Sequence, residues 1–264
     1  MPAGMLIDTT RCTGCRGCQA ACKQWNLLPA TETSFNPSLT NPIQKNAYTY
    51  NTVEFFEVED GGKFNFITVH KRCFHCSDPA CVSVCPVGAL QKFENGPVVW
   101  DKTRCFGCRY CQNACPFQIP KFEWDKNWPQ IAKCTFCWNR INQPGQQPAC
   151  AKTCPPKAIQ FGERADMLAE AYRRMAANPE RYHPYVYGEH EAGGTSVMYI
   201  SAVPPEKLGF LPVEKEFYPP FTWEFLGRIP LEIAGIAAIL AGAWFVRSRQ
   251  TSGHKEEATA DKAE

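Results

Sequence analysis

The longest apolar run in the chain extends from Ile229 to Val246; elsewhere apolar positions come in short bursts separated by Gly, Pro and Asn, a pattern of small strands and turns. Two pairs of bursts read as hairpins. Ala89 to Phe93 and Pro97 to Asp101 flank Glu94-Asn95-Gly96, and Asn-Gly readily adopts the positive φ of a tight turn. Asn51 to Glu59 and Lys63 to His70, rich in Val, Phe and Ile, flank Asp60-Gly61-Gly62 and predict a second hairpin, either an insertion facing a partner or plain surface. Arg164 to Ala177 has the spacing of an amphipathic helix ending at Asn178-Pro179. Between Tyr182 and Phe221, Pro184, Pro204, Pro205, Pro212, Pro219 and Pro220 alternate with aromatic residues, which predicts an extended arm lying on a partner (182–223) rather than an independent domain.

The eighteen residues of the apolar run would span roughly 27 Å at helical rise, close to the thickness of a bilayer core. A single transmembrane helix is therefore predicted over 224–249, followed by a polar tail over 250–264; a buried helix of a soluble domain is the alternative. Pro230 suits the first turn of such a helix, and Glu232 near that end suits the interface, a partner or a water-filled site. Ala234, Gly235, Ala238, Ala241 and Gly242 recur at three- and four-residue intervals and offer a face on which another membrane helix approaches closely. Arg247, Arg249 and Lys255 follow the span, which places the C-terminus in the cytoplasm and the preceding domain on the opposite side. The first residues contain neither an apolar segment nor a twin-arginine pair, so export is expected to depend on a partner. The span contains no histidine and so no axial ligands for a haem.

Composition changes the picture of the rest. Of 264 residues 44% are apolar, enough for a core, but 22 Pro, 18 Gly and 16 Cys point to a fold in which metal ligation replaces part of the hydrophobic driving force. Net charge is +2 with both signs interspersed, which excludes the basic footprint of a nucleic-acid binder.

The cysteines fall into four groups with none left over. Cys12, Cys15, Cys18 and Cys22 read CxxCxxCxxxC; Cys73, Cys76, Cys81 and Cys85 read CxxCxxxxCxxxCP; Cys105, Cys108, Cys111 and Cys115 read CxxCxxCxxxCP; Cys134, Cys137, Cys150 and Cys154 read CxxC, twelve residues, CxxxCP. Three closely spaced thiolates can each take one corner of a compact [4Fe-4S] cubane, and the fourth, three residues on, ligates the neighbouring cluster in two-cluster ferredoxins. Pro86, Pro116 and Pro155 suit a chain turning away after its last ligand; Lys23 takes that place in the first group and breaks the pattern. Gly14, Gly17 and Gly107 between ligands allow positive φ and bring backbone N–H groups near sulfur. A disulfide framework is disfavoured because adjacent CxxC cysteines seldom staple distant segments. Zinc, which the fourth group alone would suit, does not account for three complete four-cysteine runs.

A duplication organises these groups. MLIDTTRCTGC before the first group matches VVWDKTRCFGC before the third, and CPVGALQKF after the second matches CPPKAIQFG after the fourth. The hairpin between groups two and three is the centre of one two-cluster ferredoxin. Its counterpart forms if Lys157 to Phe161 pairs with Met5 to Asp8. The predicted fold is α+β: two ferredoxin-like two-cluster modules, one inserted in the other, plus the single C-terminal transmembrane helix. The outer module covers 1–50 and 117–181, and the inner one 51–116. Crossed ligation gives one inner cluster on Cys73, Cys76, Cys81 and Cys115 and another on Cys105, Cys108, Cys111 and Cys85. The outer clusters take Cys12, Cys15, Cys18 and Cys154, then Cys134, Cys137, Cys150 and Cys22. His75, between two ligands, is read as a solvated side chain in preference to one tuning a cluster. Lys71 and Arg72 either complement cluster charge or face a partner.

On CTGCRGCQAACKQWN, CFHCSDPACVSVCP, CFGCRYCQNACPFQIPK, and KCTFC with QQPACAKTCPPKAIQFG, the chain resembles the four-cluster iron-sulfur (beta) subunit of respiratory membrane-bound formate dehydrogenases, within the ferredoxin-type subunits of molybdopterin oxidoreductases. The likeness covers about residues 5 to 162 and the C-terminal helix. It implies an electron-transport subunit with no catalytic residues of its own. Its partners would be a molybdenum- or tungsten-pterin subunit that oxidises formate and a membrane cytochrome b that passes electrons to quinone in anaerobic respiration. It also implies pairing of group one with four and two with three, and export to the periplasm with the catalytic partner. An iron-sulfur subunit of a membrane-bound hydrogenase, or of another molybdopterin oxidoreductase, is the nearest alternative. A stand-alone redox enzyme lacks a visible substrate site, and a zinc-stabilised scaffold would be colourless.

Overall fold

The computed structural model describes residues 2–32 and 38–260, so residues 261–264 of the expected polar tail lie outside the described residues. The chain divides into two units, Met1–Pro219 and Pro220–Glu264. The first has mixed helix and strand. Its elements begin with β1 (Ala3–Asp8), α1 (Gly17–Trp25), β2 (Thr52–Asp60), β3 (Lys63–Lys71), α2 (Ala80–Ser83), β4 (Leu90–Lys92) and β5 (Val98–Trp100). They continue with α3 (Tyr110–Ala114), β6 (Lys121–Phe122), β7 (Ile131–Ala132), α4 (Trp138–Ile141), α5 (Ala149–Lys152), β8 (Ile159–Glu163), α6 (Arg164–Ala177) and β9 (Val197–Ile200).

β1 is the middle strand of the three-stranded sheet β8-β1-β9. It pairs antiparallel with β8, from Ala3 opposite Glu163 to Ile7 opposite Ile159, which is the pairing expected from the repeat. On its other edge it runs parallel to β9, from Met5 opposite Val197 to Asp8 opposite Ile200. Met5 and Ile7 pack into the largest apolar cluster, while Leu6 points the other way onto Ala171 of α6, Met198 and Ile200. Because both faces are covered, β1 reads as a continuous apolar run instead of an alternating one.

Both hairpins form. β2 pairs with β3 from Thr52 opposite Lys71 to Asp60 opposite Lys63, and Gly61 and Gly62 make the turn at φ +58° and +75°. β4 pairs with β5 from Leu90 opposite Trp100 to Lys92 opposite Val98. The duplication persists in hydrogen bonds. The Asp8 carboxylate accepts from Thr10 N at 3.0 Å and Oγ1 at 2.7 Å; Asp101 accepts from Thr103 N at 2.8 Å and Oγ1 at 2.7 Å. Asp8 N–H donates to Ala158 O and Asp101 N–H to Ala89 O, each at 2.8 Å. Equal sequence units thus make equal Asx turns before their first cysteines.

Residues 182 to 210 of the Pro-rich segment pack within the first unit of the chain: Tyr182, Val186, Tyr187, Val203, Leu208 and Phe210 are buried, and all four residues of β9 are 2% exposed or less. Phe210, Tyr187 and Tyr199 join Phe74 and Phe117 in an aromatic cluster whose ring centroids lie 4.0 to 6.4 Å apart. A four-residue apolar strand flanked by prolines was too short to be legible as a partner for β1.

The second unit is a helix, α7 (Pro219–Ala260), of which Pro219–Arg249 is long and apolar enough to cross a membrane. Leu231, Ile239 and Trp244 are 77%, 73% and 71% exposed. Pro230, expected in the first turn, stands inside the helix because Pro219 and Pro220 occupy its start.

Candidate metal centres

None of the sixteen cysteines is joined in a disulfide. Burial pushes Cys18 well up, and its thiol neighbours Cys150, Cys12, Cys154 and Cys15 add to the effect. Cys22 is raised by burial and by Cys134, Cys150 and Cys137. Cys76 is raised by burial and then by Cys115, Cys81 and Cys73. Burial pushes Cys111 up to about 12, with Cys105, Cys108 and Cys85 its next causes. Each set thus mixes two groups: one with four, two with three. Cys22 stands among group four and Cys154 beside group one; Cys85 joins group three and Cys115 group two.

Two of these sets surround narrow hollows. One is lined by Cys85, Cys105, Cys108 and Cys111; another is lined by Cys12, Cys15, Cys18 and Cys154. Among the described residues, no three His, Cys, Asp or Glu side chains converge as they would on a single metal ion. The thiols ring a space instead. Four thiols crowded away from water resist ionisation, and polynuclear iron would displace their protons and neutralise the thiolates formed, so the donor set fits cubane clusters.

The backbone shows how the loops are shaped. The residue before the second cysteine of every group has positive φ: Gly14 at +68°, His75 at +51°, Gly107 at +77° and Phe136 at +60°. This left-handed residue turns successive N–H groups toward the thiols, a concavity suited to an anion; Phe136 N–H lies 3.3 Å from Cys134 Sγ. Glycine marks two of the four positions, so the sequence exposed half of the device. After each Cys-Pro a second positive-φ residue closes the turn: Gly88, Gln118 and Lys157 donate their N–H to Cys85, Cys115 and Cys154 O at 3.3, 3.0 and 3.2 Å. The first group has no such turn. There α1 continues past Cys22 to Trp25, and Lys23 Nζ donates to Pro29 O and Tyr48 O, each at 2.9 Å, which accounts for lysine where the other groups have proline.

Four buried polar side chains complete the setting. His75 is 0% exposed, which overturns its reading as solvated. Its ring stacks on Phe136 with centroids 4.6 Å apart, and Nδ1 accepts from Val98 N–H at 3.0 Å. The neutral ring therefore carries its proton on Nε2, which has no hydrogen-bond partner among the described residues. His70 is also buried, lines the hollow of Cys12, Cys15, Cys18 and Cys154, and has neither ring nitrogen hydrogen-bonded among the described residues. A buried donor left open toward four thiols fits a site whose sulfide acceptors arrive with the cluster. Burial lowers both imidazoles. Arg72, 1% exposed, donates to Cys134 Sγ at 3.0 Å, Cys150 Sγ at 3.2 Å and Met5 Sδ at 3.0 Å. Lys133, 2% exposed, donates to Val98 O at 2.5 Å and Cys134 O at 3.0 Å. Lys71 is paired within the chain, 3.0 Å from Glu54 and donating to Gly209 O at 2.8 Å. Lys133 and His70 carry no sequence signal that separates them from surface residues; their burial follows from packing between distant groups.

Two 4Fe-4S dicluster domain families match the chain, over residues 64–164 and 11–89. The chain is 37% identical over 245 residues to the nitrate-inducible formate dehydrogenase iron-sulfur subunit of Escherichia coli K12, covering 91% of this chain and 82% of that protein. It is 37% identical over 246 residues to the formate dehydrogenase-O iron-sulfur subunit of the same organism, with 91% and 81% covered. Hydrogenase-2 operon protein HybA of Escherichia coli O157:H7 is 34% identical over 239 residues, with 78% and 71% covered. With two 4Fe-4S dicluster domains and sixteen cysteines for four [4Fe-4S] clusters, this electron-transfer chain belongs to the family of formate dehydrogenase iron-sulfur subunits.

Proposed function

We propose that the chain relays electrons through four [4Fe-4S] clusters from a molybdenum- or tungsten-pterin subunit that oxidises formate to a membrane cytochrome b and thence to quinone. The observation that supports this reading is that thiols of group one stand with those of group four, and group two with group three, two such sets each lining a common hollow. The ligand sets are Cys12, Cys15, Cys18, Cys154; Cys22, Cys134, Cys137, Cys150; Cys73, Cys76, Cys81, Cys115; and Cys85, Cys105, Cys108, Cys111. The first two form an outer module (1–50 and 117–181), and the others an inner module (51–116) inserted in it.

Neighbouring thiols support an order along the relay. Cys18 feels Cys150 of the second set, and Cys81 feels Cys111 of the fourth. His75 and Phe136, stacked on each other, come from the loops of the third and second sets. The clusters thus run first, second, third, fourth, with the module junction in the middle. No residue of this chain does bond chemistry: its side chains hold clusters, exclude water and set local charge. α7 anchors the chain in the lipid bilayer, and the cluster domain faces the periplasm, exported with its catalytic partner.

Iron and sulfide analysis tests the relay; about sixteen of each per chain are expected for four cubanes, and zinc in their place overturns it. Formate should reduce the clusters only when the pterin subunit is present. A second reading, service to a hydrogenase, is favoured by the likeness to HybA. Reduction of the clusters by hydrogen but not formate in the isolated complex would select it.

A further inference from the structure

Arg72 and Lys133 hold equivalent places in the duplicated loops, each immediately before the first cysteine of its group, and each is buried. Their heads differ in what they touch. Lys133 Nζ is taken up by two carbonyls, Val98 O and Cys134 O. Arg72, from the loop of Cys73, reaches across to the other module, where its two terminal nitrogens donate to the sulfurs of Cys134 and Cys150. Its guanidinium carbon lies 4.8 Å from the centroid of the Phe136 ring. The same set of thiols receives Asn26 Nδ2 on Cys22 Sγ at 3.4 Å and Phe136 N–H on Cys134.

We infer that Arg72 is a potential-setting residue, which makes the cluster on Cys22, Cys134, Cys137 and Cys150 more readily reduced than its counterpart on Cys73, Cys76, Cys81 and Cys115. The inference rests on the ligand sets proposed above. Reduction adds one electron to a cubane, from the adjacent cluster or from dithionite in a titration. No bond is made or broken, and no proton is needed, because the guanidinium is already charged. The added negative charge stays on a site where a cation donates directly to two of the four ligand sulfurs, so the reduced form is stabilised more than the oxidised one. Duplication supplies the internal control. Two modules built alike would give their junction clusters similar environments, and the arginine-for-lysine difference breaks that equivalence. The fork of arginine donates to two sulfurs, whereas lysine donates to two carbonyls and acts on Cys81 and Cys115 of the counterpart set through its charge alone.

The test is a redox titration monitored by electron paramagnetic resonance on the complete complex carrying Arg72→Lys or Arg72→Met, with iron counted in every sample. The expected result is about sixteen iron per chain with one midpoint potential lowered, more by Met than by Lys, and the other three unmoved. Full iron with four unchanged potentials overturns the inference, as does a common shift of all four. Iron well below sixteen in the wild-type complex would overturn the ligand sets themselves, a separate failure. Should both variants lose iron, the wild type answers: with arginine labelled by ¹⁵N in its guanidinium, pulsed resonance should detect nitrogen coupled to one reduced cluster. Absence of that coupling overturns the proposal.

Discussion

His75 and Phe136 lie ring on ring, centroids 4.6 Å apart and planes 23° apart, and each is the left-handed residue before the second cysteine of its own group. A non-glycine residue in that conformation costs about 1 to 3 kcal/mol and persists only when its surroundings hold it. The stack, with Arg72 on Phe136 and Phe161 edge-on at 5.7 Å, is what holds it. Phe136→Ala removes a side chain that is 0% exposed. The expected loss is about 3 to 5 kcal/mol, seen as a lower Tm of the cluster-loaded chain.

The two glycines at the same loop position should not tolerate alanine equally. At Gly107 a Cβ would stand 2.3 Å from the backbone oxygen of Pro129; at Gly14 it would meet the Phe55 and Thr68 side chains at 2.9 and 3.1 Å. A backbone atom cannot swing aside as a ring or methyl can. Gly107→Ala should therefore lose about four iron atoms per chain, the content of one cubane, while Gly14→Ala retains more of its iron. Equal iron content in the two variants would contradict this.

α6 is tied to β1 through charge. Asp8 is 0% exposed and accepts from Arg174 Nη1 and Tyr182 Oη, each at 2.9 Å, while Glu170 takes Arg174 Nε at 2.7 Å. Arg174→Met leaves a buried carboxylate with only the half-exposed Arg11, 3.9 Å away, as its cation, which costs up to about 3 to 5 kcal/mol. Asp8→Asn combined with Arg174→Met should recover part of that loss in denaturant melts; a double variant no more stable than the single one would show that the pair is not the cause.

α7 should be the tether. Removal of residues 220–264, which begin at the boundary between the two units, is expected to leave the clusters intact and release the chain from the membrane fraction. Sedimentation of the truncated complex decides it, and unchanged pelleting would assign the tether to a partner.

What the sequence determined by itself is whatever is encoded locally or by repetition. Cysteine spacing identified the thiol groups, because ligands a few residues apart must meet a common object whatever the rest of the chain does. The repeated Asp-x-Thr-Arg-Cys and Cys-Pro units led to the β1–β8 pairing, because equal segments make equal turns. Asn-Gly, Gly-Gly and the helical spacing of 164–177 gave the hairpins and α6 for the same reason. Tertiary structure decided what depends on residues far apart. His75 is buried because Phe136, sixty-one positions later, covers it. Arg72 touches sulfur because Cys134 and Cys150 fold across to it, and β9 pairs with β1 across nearly two hundred residues. Burial of a polar side chain is a property of its neighbours in space, and a linear pattern carries no record of which distant segment will supply them.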